Sequence, residues 1–300
     1  MSSKWTASDM PDQSGRVAVV TGANTGIGLP TAAELARHGA RVVMACRSEE
    51  KARAAADRIA AEGVAGSVDV LRLDLADLAS VGSFADAFRS RFDRLDLLIN
   101  NAGVMWPPLS RTADGFELQF GTNHLGHFAL TARLLDRLRE TAGARVITVA
   151  SVSHRFGAID FDDLQWRSRR YRPNRAYGQS KLANLLFTYE LQRRIDRAGA
   201  RMLAAAAHPG FTGTDLQRHA GFVRLVSPWF GMEPWQGALP TLFAATAGEV
   251  APGGYYGPDG LGETRGYPRR VGSSAASRDR AVAERLWGVS EALVGLPLAP

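Results

Sequence analysis

Six short apolar runs of five to seven residues recur through the chain, at 16–20, 41–45, 67–73, 95–99, 145–150 and 201–207. Each is too short for a stable helix and reads as a buried strand. Between them lie stretches with helical periodicity at 31–38, 49–61, 77–92, 112–138 and 174–197. Strands that alternate with helices need crossover connections, which make the strands parallel and lay helices over both faces of the sheet. A last short strand at 253–256 and helices at 236–247 and 278–294 complete the pattern. The prediction is an α/β chain with a doubly wound parallel sheet of about seven strands. Residues 1–14 form a polar extension and 15–295 a single domain.

The first strand runs into Thr21-Gly22-Ala23-Asn24-Thr25-Gly26-Ile27-Gly28 and then a helix. In that context the glycines point to a Rossmann-type dinucleotide site. Gly22 allows the tight turn, Gly26 lets backbone approach a pyrophosphate, and Gly28 lets helix and sheet pack closely. The helix N-terminus then faces the anion. At the end of the second strand, Cys46-Arg47-Ser48 offers no acid for a ribose 2′-hydroxyl. An arginine there accommodates a 2′-phosphate, so the reading is NADP rather than NAD. Asn100-Asn101-Ala102-Gly103 closes the fourth strand, at the end of the sheet where ligands bind, although an Asn pair also suits a simple turn.

Tyr177 and Lys181 stand four residues apart in a helical stretch and share a face with Asn184 and Thr188. A nearby ammonium favours phenolate, so the pair predicts a lowered Tyr177 pKa and a general acid/base. The bland alternative is a half-buried tyrosine beside a solvated lysine. Ser151 follows the fifth strand. Asn123 falls in the middle of a predicted helix, where a side chain that competes for backbone bonds is unusual. Neighbouring His124 and His127 lack further ligands at metal spacing, so they read as packed, hydrogen-bonded histidines with no metal.

Net charge is +6 with arginines mostly scattered among acids, which predicts a solvated surface rather than nucleic-acid binding. Arg167, Arg169, Arg170, Arg172 and Arg175 are denser, and would greet an acidic substrate or partner surface. Asp160, Asp162 and Asp163 nearby read as solvated. The single cysteine, Cys46, allows no internal disulfide and reads as a small buried hydrophobe. No apolar run has the length of a signal peptide or a membrane span, so the expectation is a cytoplasmic protein without an integral membrane segment. The apolar, aromatic stretch 222–235 reads either as a buried helix pair or as part of a lid, about 211–235, over an apolar substrate.

Jointly and in order, the glycine loop at 21–28, AsnAsnAlaGly at 100–103, Asn123, Ser151, Tyr177 with Lys181, and Pro209-Gly210 resemble the short-chain dehydrogenase/reductase family. AlaCysArgSer at 45–48, ThrAsnHisLeuGlyHisPhe at 122–128, SerLysLeuAlaAsn at 180–184 and GlyGlyTyrTyr at 253–256 are similar to its retinol dehydrogenase-like group. The resemblance implies Tyr177 as proton donor or base, and Lys181 as the residue that tunes it and holds the nicotinamide ribose. It implies Ser151 on the substrate oxygen and Asn123 holding a relay water. Asp74 and Leu75 would sit at the adenine, with Asn101, Ala102 and Gly103 beside the adenosine. Pro209, Gly210, Thr212 and Thr214 would line the nicotinamide and pyrophosphate. The implied reaction interconverts an alcohol with an aldehyde or ketone on an apolar small molecule, in a dimer or tetramer. Alternatives are double-bond reduction, as in the similar protochlorophyllide reductases, or dinucleotide binding without turnover.

Overall fold

The computed structural model describes residues 4–211 and 232–300. Eight strands form one sheet: β1 Val17–Thr21, β2 Arg41–Cys46, β3 Ser67–Arg72, β4 Leu97–Asn100, β5 Ala144–Val149, β6 Met202–Ala207, β7 Tyr255–Pro258 and β8 Pro268–Arg270. Their order is β3-β2-β1-β4-β5-β6-β7-β8. Every pairing from β3 to β7 is parallel. The order reverses between β1 and β4, which opens a crevice at their carboxyl ends. An eighth strand goes beyond the seven expected, and it runs antiparallel to β7. The connection 259–267 is too short for the crossover of roughly a dozen residues that a parallel return would need. Pro268 fits an edge strand that need not donate on its free side.

Among the described residues the helices are α1 Gly28–Arg37, α2 Glu49–Ala61, α3 Leu78–Arg89, α4 Leu118–Phe120, α5 Gly126–Arg133, α6 Leu135–Glu140, α7 Pro173–Ala198, α8 Pro234–Thr246 and α9 Arg280–Val294. Ser48 caps α2 by accepting from the Lys51 amide at 3.4 Å, and Asp77 caps α3 by accepting from the Ala79 amide at 2.9 Å. Alternate residues of β1 feed opposite cores. Val17 and Val19 pack with α3, α5, α7 and α9, while Ala18 and Val20 pack with α1, α2 and α8. Burial on both faces explains why the strands read as unbroken apolar runs.

The polar extension is part of the domain. Trp5 meets Phe243 of α8 edge-on at 5.3 Å between ring centroids, and Met10 and Gln13 are buried. The helix expected over 112–138 begins later, because Glu117 caps α4 through the amides of Gln119 and Phe120. It is also broken by a π turn, Gly121–Leu125, that carries Asn123. No helix among the described residues is long and apolar enough to cross a membrane.

Candidate active site

The glycine loop leaves β1 with Gly22 at φ 65° and Gly26 at φ 56°, left-handed conformations that favour glycine. Gly28 has no room at all: a Cβ there would lie 2.4 Å from the Gly22 carbonyl oxygen and 2.6 Å from the Asn101 amide nitrogen. Helix α1 starts at Gly28 without a side-chain cap, directly after the glycine turn. A helix start of this kind fits a diphosphate. Gly28→Ala is an overpacked site, and is expected to cost about 1–3 kcal/mol, read as a lower urea midpoint at unchanged slope.

A buried web fixes this turn against the neighbouring strand. The Thr21 hydroxyl accepts from the amides of Asn101 and Ala102, each at 2.9 Å. The Asn101 side chain donates to the Thr21 carbonyl at 2.8 Å. His127 Nδ1 lies 3.1 Å from the Asn123 carbonyl, which can only accept, so that nitrogen carries the proton. Its Nε2 therefore accepts from the Thr21 hydroxyl at 2.9 Å. Burial lowers the His127 pKa to about 4, consistent with a neutral ring. His124 reaches Ser290 at 2.9 Å, and burial lowers it to about 3. Both are packed, hydrogen-bonded histidines as expected. Thr21 and His127 were not legible as parts of the site because neither lies in a sequence position that signals the other.

Three segments converge beside this web. Ser151 lies two residues past β5 and caps a 3-10 turn, Val152–Phe156. Tyr177 and Lys181 project from one face of α7, whose start is set by Pro173 in the first turn. Both side chains are buried, and the Lys181 ammonium lies 5.7 Å from the Tyr177 ring centroid. The ammonium donates to the Val149 carbonyl at 2.9 Å, and Asn184 donates to the same oxygen at 3.2 Å. Asn123 is fully buried in the π turn. Its Oδ1 accepts from the Val104 amide at 2.8 Å, and its Nδ2 donates to the Val104 carbonyl and to Ser180 Oγ, each at 3.0 Å. It thereby braces the loop after β4 against α7. π turns recur where a regular helix could not present such groups. A Cβ on Gly103 would lie 3.1 Å from Asn123 Oδ1 and 3.7 Å from Lys181 Nζ, so the loop passes directly over both. Ser180 was missed, since nothing in its spacing shows that Asn123 lies opposite.

The electrostatics correct one expectation. The Tyr177 pKa is pushed up to about 12, because burial outweighs the hydrogen bond with Ser151 that pulls it down. Burial also pushes Lys181 down to about 8. Desolvation of each group, rather than the attraction between them, dominates in this protein. The phenol is a neutral donor at pH 7.

Two further readings change. Arg169 is not presented to solvent with its neighbours. It stacks 3.6 Å from the Trp166 ring centroid, reaches Asp160 at 3.1 Å and donates to Gln179 at 2.7 Å. Asp163 is not simply solvated either. It accepts from the amides of Arg167, Ser168 and Arg169 at 2.7, 3.0 and 3.1 Å, which hold its carboxyl well below the usual range although burial opposes them. Pairing inside the 157–172 connection absorbs charges that a linear reading leaves free. Arg167, Arg170, Arg172 and Arg175 are exposed.

Arg47 lies exposed just past β2. Arg72 is exposed at the end of β3, directly across from Cys46, and adds a second cation that the sequence reading passed over. Cys46 is buried, its thiol pushed up to about 11 by burial, while amides of Ala23 and Asn24 oppose the shift. Asp74 accepts from the Ala76 amide at 3.0 Å, and the Leu75 backbone packs on Gly126 of α5. Pro209 and Gly210 follow β6, with Gly210 at φ 70°. Thr212, Thr214 and the segment 212–231 of the expected lid lie outside the described residues. Trp235, at the other end of that segment, starts α8 and is exposed.

Residues 16–221 match the family described as short chain dehydrogenase. The chain belongs to that family. This short-chain dehydrogenase falls in the retinol dehydrogenase-like group. It is 45% identical to Retinol dehydrogenase 13 of Homo sapiens, over 94% of its own length and 85% of that protein's. It is 46% identical to Retinol dehydrogenase 12 of Mus musculus, over 94% and 87% of the two lengths. Among solved structures, an uncharacterized protein from Mycobacterium Paratuberculosis matches with a TM-score of 0.84 and 46% identity, covering 99% of both chains. The Pseudomonas aeruginosa RhlG/NADP active-site complex matches this oxidoreductase with a TM-score of 0.66 and 27% identity, over 81% of this chain and 94% of that one.

Proposed function

We propose that this oxidoreductase is an NADP(H)-linked enzyme that interconverts an aldehyde or ketone with its alcohol on an apolar small molecule. The observation that carries the reading is the convergence of Ser151, Tyr177 and Lys181 beside the β1–β4 crevice, with Tyr177 held as a neutral phenol. The glycine loop, the open start of α1 and the Asn101–Gly103 loop would hold the dinucleotide, with Arg47 at its 2′-phosphate. A bound nicotinamide dinucleotide would supply the hydride that the carbonyl carbon needs. The Ser151 hydroxyl donates to the carbonyl oxygen and steadies its growing negative charge. Tyr177 transfers its phenolic proton to that oxygen, which gives the alcohol. The phenolate left behind is stabilised by the Lys181 ammonium and takes a proton back from solvent before the next turnover. In the oxidative direction the same phenolate takes the proton from the alcohol. Asn123 keeps Gly103 and α7 in register.

An apolar substrate is supported by Val104, Met105 and Trp106, which continue from Gly103 with part of their surface exposed. The RhlG complex holds NADP, and Arg47 supports the same choice here. Fluorescence titration with NADPH and NADH, followed by turnover on a panel of apolar aldehydes and ketones, tests both parts. Arg47→Glu is expected to weaken NADPH binding by about tenfold or more and leave NADH within about threefold, since a lost charge-assisted contact is worth about 1.5–3 kcal/mol. Preference of the unaltered protein for NADH would overturn the Arg47 assignment. Reduction of conjugated alkenes without carbonyl turnover would overturn the reaction class.

A further inference from the structure

Among the described residues, three that are not glycine adopt a left-handed backbone: Trp106, Trp166 and Glu263. Glu263 lies at φ 58° and follows Gly262 at φ 63°, in the turn Leu261–Glu263 after β7. An L-residue persists in that conformation only where its surroundings hold it there. For Glu263 the holding contacts are made by the carboxylate. Oε1 accepts from Arg155 Nη2 at 2.9 Å, and Oε2 accepts from His208 Nε2 at 3.1 Å. The proton on His208 is fixed, because its Nδ1 accepts from the Gly210 amide at 3.3 Å and so leaves Nε2 as the donor. The ring has no slack, since a Cβ on Gly257 would lie 2.0 Å from Nε2. His208 is fully buried. The hydrogen bond from His208 and the nearby Arg155 guanidinium hold the Glu263 carboxyl below the usual range against its partial burial.

The three partners come from three different strand ends. Arg155 belongs to the turn that begins at Ser151, after β5. His208 is the first residue past β6 and leads into Pro209-Gly210. Backbone contacts strengthen the second link: the Phe211 amide donates to the Thr264 carbonyl at 2.8 Å, and a Cβ on Gly210 would lie 2.5 Å from the same oxygen. The Ser151 turn is tied down from below as well. His154 Nδ1 donates to the Ser151 carbonyl at 2.6 Å, while its Nε2 accepts from the Ser274 amide at 3.1 Å.

We propose that Glu263 is a positioning residue whose carboxylate clamps the Ser151 turn to the His208–Gly210 corner. Resting on the function proposed above, the clamp sets the distance between the hydroxyl that holds the substrate oxygen and the wall on which the nicotinamide would lie. Neither the glycine loop nor the Tyr177 helix supplies this link.

Glu263→Gly tests it, because glycine relieves the left-handed backbone while it removes the carboxylate. A residue that merely shaped the turn would be replaced by glycine without loss. The clamp predicts faster amide exchange, by about tenfold, in peptides 151–157 and 205–211 of the cofactor-free protein. It also predicts a kcat for carbonyl reduction lowered by about tenfold, with KM for NADPH within about threefold, the pattern of misplacement rather than lost binding. Glu263→Gln keeps an acceptor for Arg155 but turns an amide donor toward His208, so its faster exchange should be confined to 205–211. Unchanged exchange in both peptides of Glu263→Gly overturns the clamp. If exchange quickens but kcat stays within about twofold of wild type, the positioning role is overturned. Absence of wild-type turnover on the whole panel would instead strike the proposed function, and the exchange result would still decide the clamp.

Discussion

Tyr177→Phe is expected to lower kcat for carbonyl reduction by about 10²–10⁴-fold, the usual contribution of a positioned general acid. The fold should be untouched. Phenylalanine fills the same buried volume, and the lost hydroxyl gives up only its hydrogen bond with Ser151. Melting temperature and NADPH affinity should therefore stay near wild type while turnover disappears, a separation that steady-state kinetics and a titration resolve on one preparation. The raised pKa adds a directional test. With the phenol near 12, its proton is in place throughout the neutral range, so carbonyl reduction should be nearly flat between pH 6 and 8. Alcohol oxidation needs the phenolate, and its rate should climb by up to about tenfold per pH unit over the same range. A Tyr177→Phe enzyme that keeps more than about a tenth of wild-type kcat would end the assignment.

Lys181→Met is expected to abolish most of the activity and yet raise stability. Burial depresses the Lys181 pKa from 10.5 to about 8. At about 1.4 kcal/mol per pH unit, its charge at neutral pH opposes folding by roughly 3 kcal/mol. The sign follows from proton counting. Between the folded value near 8 and the unfolded value of 10.5, the unfolded chain holds more protons, so stability rises with pH across that window and is lost again as pH falls through 8. Methionine has no charge to desolvate, and Asn184 still donates to the Val149 carbonyl that Lys181 would release. Urea unfolding at pH 7 and pH 9.5 should show wild type gaining stability with pH. Lys181→Met should be more stable at pH 7 and lack that gain. The residue would then be kept for chemistry at a cost to the fold, a common trade at functional sites. Equal pH dependence of the two proteins would show that the buried ammonium is not what it is taken to be.

The pKa of Tyr177 marks where a linear reading stops. Spacing of four places Tyr177 and Lys181 on one helix face, and that much holds. Which of two opposed effects wins depends on how deeply both are buried and on where the ammonium is anchored. That anchor is the carbonyl of Val149, on a strand far away in sequence. The same limit applies to Arg169, whose partners Asp160, Trp166 and Gln179 are supplied by the folded connection and by α7. It also applies to Asn123. Its unusual place in a helical run was visible, but the π turn that turns it toward Val104 and Ser180 was not, because the helix is broken by contacts from outside itself.

The sequence by itself determined the alternation of buried strands and helices, the glycine loop after the first strand, and the spacing that puts Tyr177 and Lys181 on one helix face. These follow from local rules: periodicity, capping by Ser48 and Asp77, and the need for glycine at Gly22, Gly26 and Gly28. Only the tertiary structure decided the antiparallel β8, the packing of Trp5 and Met10 onto the domain, the protonation bias of Tyr177 and Lys181, and the Arg155–Glu263–His208 link. Each of these depends on which distant groups share a low-dielectric space. Desolvation and pairing are properties of that shared space, and no spacing along the chain encodes them.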